Sequence, residues 1–413
     1  MIETPFTRMH DRYDVVVAGA RCAGAATAML MARAGLRVLM VDPAPPTRDT
    51  LSTHALMRGG VLQLHRWGLL SEVVAAGTPR IGATVFDYGE HEIEIPIAPK
   101  DGVDGLYAPR RVVLDPILNQ AAVREGVHVA YGVRVADLAR SPAGRVVGVR
   151  LAGRDRTTAD VGADLVVGAD GKNSSVATLA GAPIERMAEH TSATVYGYVR
   201  TTADLACRYR WSFAAGRGAP GVSMGIIPTN QGETCVFASM APEVFQRAGR
   251  HGMSELYLST LARMNGALAA RLREVADQVR TRGFAGQLGV VRKPYGPGWA
   301  LVGDAGLFRD PATAHGITDA FRDAETLVRA WVEDGGAGLA RYHEARDATS
   351  LGLFETTDRI AGGGWSPDEL GALHHALSRQ MNLGVELIRA WGALPDVAAP
   401  AARMPARHSA SAA

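Results

Sequence analysis

Apolar residues along this chain follow two distinct patterns. Residues 13–18 (YDVVVA) form an apolar, β-branched run that ends in a glycine-rich turn at 19–24. The AATAMLMARAG that follows has helical composition and stops at Gly35, and residues 36–41 make a second buried run. This order predicts a strand–helix–strand unit. Residues 79–98 instead alternate apolar and polar positions, predicting a hairpin of a separate antiparallel sheet. A helix is expected at 114–124, with strands at 127–135, 146–151 and 164–168. From 193 to 241 the segments TVYGYVR, YRWSF, VSMGIIP and ETCVFASM, with turns such as Asn230-Gln231-Gly232 between them, predict a second, β-rich core. Helical pattern returns at 253–279 and 316–332. A short buried strand at 299–302 precedes Gly303-Asp304, and a C-terminal helical layer is expected at 367–391.

The 413 residues are enough for two to three domains. Lys plus Arg is 44 against 42 Asp plus Glu, so no large basic field is present to hold nucleic acid or an anionic membrane. The expected partner is a small molecule. The three cysteines, Cys22, Cys207 and Cys235, form no CxxC pair, and the histidines lack HxxxH or HExxH spacing, so neither a disulfide framework nor a metal centre is expected. Charged residues within 1–12 and the absence of a clean apolar span point to a cytoplasmic protein without stable membrane insertion.

Three motifs carry chemistry. The first, Gly19-Ala20-Arg21-Cys22-Ala23-Gly24, joins strand to helix, and Asp42 ends the next strand at the spacing expected of a ribose-binding acid; Arg21 stands where a second glycine is usual. The second, Gly168-Ala169-Asp170-Gly171-Lys172-Asn173-Ser174, is a strand ending in a polar turn that opens a helix. The third, Gly303-Asp304, is followed by Pro311 and by Gly316-Ile317 at a helix start. Its strand delivers Asp304 to an edge where a polyol can be hydrogen-bonded.

In this order the motifs resemble the class A FAD-dependent monooxygenase family, typified by para-hydroxybenzoate hydroxylase, from about residue 13 to about residue 335. The resemblance implies an α/β fold: a Rossmann-like FAD-binding domain (13–78, 99–183 and 291–335), an inserted β-rich substrate domain (79–98 and 184–290) and a C-terminal helical layer (336–394), with 395–413 disordered. It implies that Gly19, Ala20, Arg21, Cys22, Ala23, Gly24 and Asp42 bind the ADP half of FAD, that Asp170 and Gly171 touch FAD and a passing NADH or NADPH, and that Gly303 and Asp304 bind ribityl. Arg58 resembles a pyrophosphate contact and Arg111 a position beside the cofactor, while Pro311, Gly316 and Ile317 belong to the flavin-edge loop. His54 and His315, in motif-bearing loops, are the candidates for a flavin hydrogen bond or proton relay. Tyr196, Tyr198, Trp211, Met224 and Phe237 are the substrate-facing candidates on the β-rich sheet.

The activity so implied is NAD(P)H- and O₂-dependent hydroxylation or epoxidation of a small organic molecule, aromatic or polyketide-like, through a C4a-hydroperoxyflavin. Two alternatives stay open: a flavin-dependent reductase or dehydrogenase of an unsaturated prenyl or lipid substrate, and a non-catalytic FAD-binding protein. Without a second glycine-rich unit, electrons enter either by direct docking of the coenzyme or from a partner flavin reductase. The WxWxIP string of tryptophan halogenases is absent, which disfavours halogenation.

Overall fold

The computed structural model describes residues 9–203, 205–214, 221–248, 252–275 and 279–394. The expected tail at 395–413 lies outside them. The chain opens with β1 (Arg12–Ala18), α1 (Cys22–Arg33), β2 (Val38–Asp42), α2 (Arg58–Arg66), α3 (Leu70–Ala75), β3 (Ala83–Asp87), β4 (Glu92–Pro96) and α4 (Arg111–Arg124). It continues through β5 (His128–Tyr131), β6 (Val133–Arg140), β7 (Val146–Gly153), β8 (Thr158–Gly168), α5 (Ser175–Ala180), β9 (Ile184–Met187), β10 (Ala193–Arg200), β11 (Arg208–Ala214), β12 (Val222–Pro228) and β13 (Glu233–Met240). Next come α6 (Pro242–Ala248), α7 (Met253–Ala262), α8 (Gly266–Glu274), β14 (Arg282–Phe284), β15 (Val290–Arg292), β16 (Tyr295–Gly296), β17 (Trp299–Leu301) and β18 (Leu307–Phe308). The helices α9 (Gly316–Asp334), α10 (Leu339–Ala361) and α11 (Pro367–Ala390) close the described chain.

A parallel core, β17-β8-β1-β2-β5, forms the first sheet, with β6 and β7 added as an antiparallel meander on β8. Period-two alternation sends Val15 and Val17 into a core shared with α1, α4 and α9, and Val16 and Ala18 into a core on the opposite face. Two expected boundaries differ. Gly132, at φ 77°, breaks the single strand expected over 127–135 into β5 and β6, turning the chain out of the parallel sheet. β8 begins well before residue 164 because its first half pairs antiparallel with β7 while its second half lies between β1 and β17.

The second sheet runs β14-β10-β13-β12-β11-β3-β4, so the 79–98 hairpin joins the strands of 193–241 through a parallel β11–β3 pairing. One face carries Tyr196, Tyr209, Trp211, Phe213, Cys235 and Phe237 against Leu370, Leu373 and Leu377 of α11. The other carries Val195, Met224 and Val236 against Tyr257, Leu261 and Leu272 of α7 and α8. Met224 therefore points away from the aromatic face, and its expected substrate contact is corrected: it pairs with Ala238 across the ladder and alternates out of the row that holds Trp211 and Phe237.

Candidate active site

The strand–turn–helix at residue 19 is built for close approach. Gly19 has φ 108°, and a Cβ there would meet the Ala169 carbonyl oxygen at 2.3 Å; one at Gly24 would meet the Gly19 oxygen at 1.8 Å. Arg21 occupies the N-cap of α1 without any side-chain cap, which leaves the first-turn amides open, and open amides at a helix N-terminus favour an anion such as pyrophosphate. Arg21 in place of glycine leaves this turn intact. Ala20 N–H and Ala44 N–H each donate to Asp42, at 2.8 Å, fixing its carboxylate at the end of β2.

Beside this turn lies a small polar cluster. Arg111, first residue of α4, donates through Nε to Asp115 at 2.9 Å, and the Cys22 thiol reaches the same carboxylate oxygen at 3.3 Å. Burial opposes the Arg111 charge, yet Cys22, Asp115 and Asp304 outweigh it and raise its pKa. Burial raises the Cys22 thiol, which makes it an inert packing group. Asp304 has no hydrogen-bond donor among the described residues. Burial lifts its pKa to about 6, against the pull of Arg111, Arg309 and Lys172. A lone carboxylate at such a place is suited to hydroxyl donors of a ligand. Gly303 N–H is taken up by buried Asp323 at 3.1 Å.

Asp170 has local work. It accepts from Ser174 Oγ and from the amides of Ser175 and Val176, capping α5, with Gly171 at φ 80° making the turn. Arg58 donates to the carbonyls of Ala98 and Lys100, at 3.0 and 3.1 Å, so its guanidinium ties α2 to that loop. Pro311 starts a turn that ends at Ala314, a non-glycine residue at φ 54°, and Gly316 and Ile317 open α9. No side chain caps α9, so its first amides also face outward from the helix end.

His315 donates from Nδ1 to the Thr313 carbonyl at 2.6 Å, and its buried Nε2 has no partner among the described residues. Burial, together with Arg309 and Arg322, lowers its pKa to about 3. Below it, Asp319 is ion-paired with Arg309 and with Arg322, the latter at 2.8 Å. His54, on left-handed backbone (φ 67°) and 1% exposed, shares a hydrogen bond through Nε2 with the Tyr198 hydroxyl. Its Nδ1 is buried without a partner among the described residues, and burial together with Arg111, Arg110 and Arg282 lowers its pKa to about 3. Arg110 lies 4.0 Å over the Tyr198 ring and donates to Glu233 at 2.7 Å, while its backbone amide is held by Asn230.

The structure thus brings the βαβ turn, Asp42, Arg111 and Asp304 to one region. It links them through the Arg110–Arg111 pair to His54, Tyr198, Tyr196 and, packed in the same cluster, Phe237 and Trp211. Sequence reading missed Arg110, Asp115, Asn230 and Arg309. The doubled arginine at the start of α4 was a usable signal for the first; the others carry no local motif. One group of acidic and histidine ligand atoms, Glu185, His343 and Asp347, also converges, but Arg346 already supplies a cation there, 2.6 Å from Asp347.

A model of an FAD binding domain matches residues 12–355. The chain belongs to that FAD-binding family. It is 29% identical over 382 residues to a menaquinone reductase of Mycolicibacterium smegmatis, covering 85% of this chain and 87% of that one. Identity is 26% over 316 residues to digeranylgeranylglycerophospholipid reductase 1 of Methanococcoides burtonii (76% and 72% covered), and 26% over 390 residues to the aurachin C monooxygenase/isomerase of Stigmatella aurantiaca (90% and 92%). The fold is shared with the flavin-dependent brominase Bmp2 (TM-score 0.72, 18% identity, 92% of each chain). It is shared too with PqsL, a probable FAD-dependent monooxygenase of Pseudomonas aeruginosa (TM-score 0.69, 20% identity, 91% and 99%). The protein is an FAD-dependent oxidoreductase with a Rossmann-like FAD domain, a separate β-sheet domain and C-terminal helices. No helix among the described residues is long and apolar enough to cross a membrane.

The site fits FAD on its own terms. The Gly19–Gly24 cradle, which a Cβ would fill, the uncapped amides of α1, and the undonated carboxylate of Asp304 are the features a dinucleotide's pyrophosphate and polyol would satisfy.

Proposed function

We propose that the protein is an FAD-dependent reductase acting on a double bond of a prenyl-bearing lipid, the second of the activities weighed from sequence. The likeness to a menaquinone reductase and to a digeranylgeranylglycerophospholipid reductase, over more than seven-tenths of each chain, carries this reading. Both named substrates bear polyprenyl chains, and the buried aromatic cluster of Tyr196, Tyr198, Trp211 and Phe237 would give a hydrocarbon chain reaching it an apolar surface. When bound, FAD supplies the two-electron chemistry. In this reading the α1 amides would hold pyrophosphate, Asp42 ribose and Asp304 ribityl, and the open amides of α9 would favour negative charge on the flavin. Ala55, Ala108 and Ala314 pack against the same aromatic cluster, as do Leu373 and Leu377 of α11. The paired His54 and Tyr198 would hold a proton beside it.

NADH or NADPH is the proposed reductant, docking directly, with a partner flavin reductase as the other route. The test is anaerobic: holoenzyme is mixed with NADH, NADPH or dithionite and with menaquinone or a geranylgeranyl lipid in detergent, and products are read by mass. Gain of two hydrogens per turnover, with NAD(P)H alone sufficient, is expected. If product forms only under air and carries labelled oxygen from O₂, the monooxygenase reading supported by the aurachin C relative replaces it. Turnover with dithionite alone assigns electron delivery to a partner.

A further inference from the structure

The family match ends at residue 355, yet α11, which begins at Pro367, roofs the aromatic face of the second sheet. Its His374 is 8% exposed and sits among four aromatic rings: Phe213 at 4.8 Å between centroids, Phe86 at 5.1 Å, Tyr88 at 5.7 Å and Trp211 at 6.1 Å, the last stacked. Nδ1 shares a hydrogen bond of 2.7 Å with the Tyr88 hydroxyl. Nε2 is buried and meets no partner among the described residues, and neither does the hydroxyl of Tyr209, whose ring lies 5.5 Å from Trp211. Buried polar atoms of this kind are rare, and each costs about 1–3 kcal/mol while unsatisfied. A saturated or unsaturated hydrocarbon chain has nothing to offer them. Phe213, which packs on His374, also lines with Trp365 and Ile360 a cavity of about 360 Å³, within the size range of small-molecule sites, whose lining stops short of His374 itself.

We infer that His374 is a specificity-determining residue that donates a hydrogen bond to a carbonyl oxygen on a planar ring, so that the lipid preferred is one whose prenyl chain is carried by a quinone-like ring. When Tyr88 donates to Nδ1, the neutral imidazole carries its proton on Nε2, a donor for which the described residues supply no acceptor. Burial keeps the ring neutral down to about pH 4. The surrounding rings supply the stacking surface a planar ligand needs.

This inference rests on the reductase reading, and binding separates the two. Oxidised holoenzyme is titrated with menadione, a quinone ring without a prenyl chain, and with geranylgeraniol, a chain without a ring carbonyl, following the flavin absorbance and tryptophan fluorescence. His374→Phe should weaken menadione about tenfold and leave geranylgeraniol unchanged, while His374→Gln, which can donate from nearly the same place, restores affinity. Tyr88→Phe, which only frees the imidazole, should weaken menadione alone and serves if His374→Phe does not fold. Equal menadione affinity in wild type and in the His374 and Tyr88 variants, no menadione binding by wild type, or equal loss of both probes overturns the assignment. Absence of a hydrogenated product in the anaerobic assay overturns the reductase reading without altering these affinities.

Discussion

At the scale of single residues, this protein keeps several titratable groups buried at the cofactor region, and each makes stability depend on pH in a definite direction. Asp304 is raised from 3.8 to about 6, so the folded state binds its proton more tightly than the unfolded chain. Its favourable contribution is complete below about pH 4 and is lost as pH rises through 6. Asp304→Asn should therefore raise the urea midpoint of the FAD-free protein at pH 7, leave it unchanged below pH 4, and weaken FAD binding by isothermal titration. His315 shows the opposite sign. Lowered from 6.5 to about 3, it supports the fold above pH 6.5 and withdraws that support as pH falls toward 3. His315→Gln should flatten the acid limb of stability between those values, read from urea midpoints at successive pH. Gly19, Asp42 and Asp304 stand out in sequence because glycine and acid lie there at fixed distances from strand ends. Arg110, Asn230 and His374 do not, because their significance comes from neighbours far away in the chain.

At the scale of elements, local signals place helices and strands but not all of their ends: the single helix expected over 253–279 is two, α7 and α8, with Asn265 capping the second. Ser366 accepts from the Glu369 amide, and the Glu369 side chain reaches back to the Ser366 N–H, a capping box at the start of α11. Ser366→Ala should cost about 1 kcal/mol, seen as a lower urea midpoint without a change in slope. Leu377, 3% exposed against the aromatic face, should cost about 2–5 kcal/mol when truncated to alanine, in the same measurement. The capping residues announce α11 in sequence, but nothing in its pattern says which sheet it covers. β8 exceeded its expected length for a related reason: its outer half, Thr158 to Gly162, is made a strand by pairing with β7, not by apolar content of its own.

At the scale of the whole molecule, a Rossmann-like sheet and an antiparallel sheet are held by α10 and α11, which bring Leu353, Leu370 and Leu377 to the second sheet's aromatic face and Val385 and Ile388 to the core of the first. Ligand that binds only the folded state stabilises it by mass action, by about 2.7 kcal/mol at a hundredfold excess over its Kd. FAD added to flavin-depleted protein should raise the thermal midpoint by several degrees and FMN should not, since in the proposed reading Asp42 and the α1 amides serve the half of the dinucleotide that FMN lacks. Equal shifts with both would remove the adenine half from the account.

By itself the sequence determined the βαβ unit, the positions of the FAD motifs and the membership of the β-rich segment in its own sheet, because these depend on period, turn chemistry and short spacing. Tertiary structure decided what those signals leave open. It chose which face of each strand meets the aromatic cluster under α11, turning Met224 away and Phe237 toward it, since alternation fixes two faces but not which one is covered. It also set His54 against Tyr198 and His374 among aromatic rings, contacts spanning well over a hundred residues that no local pattern encodes, because they exist only once two sheets and the C-terminal helices pack together.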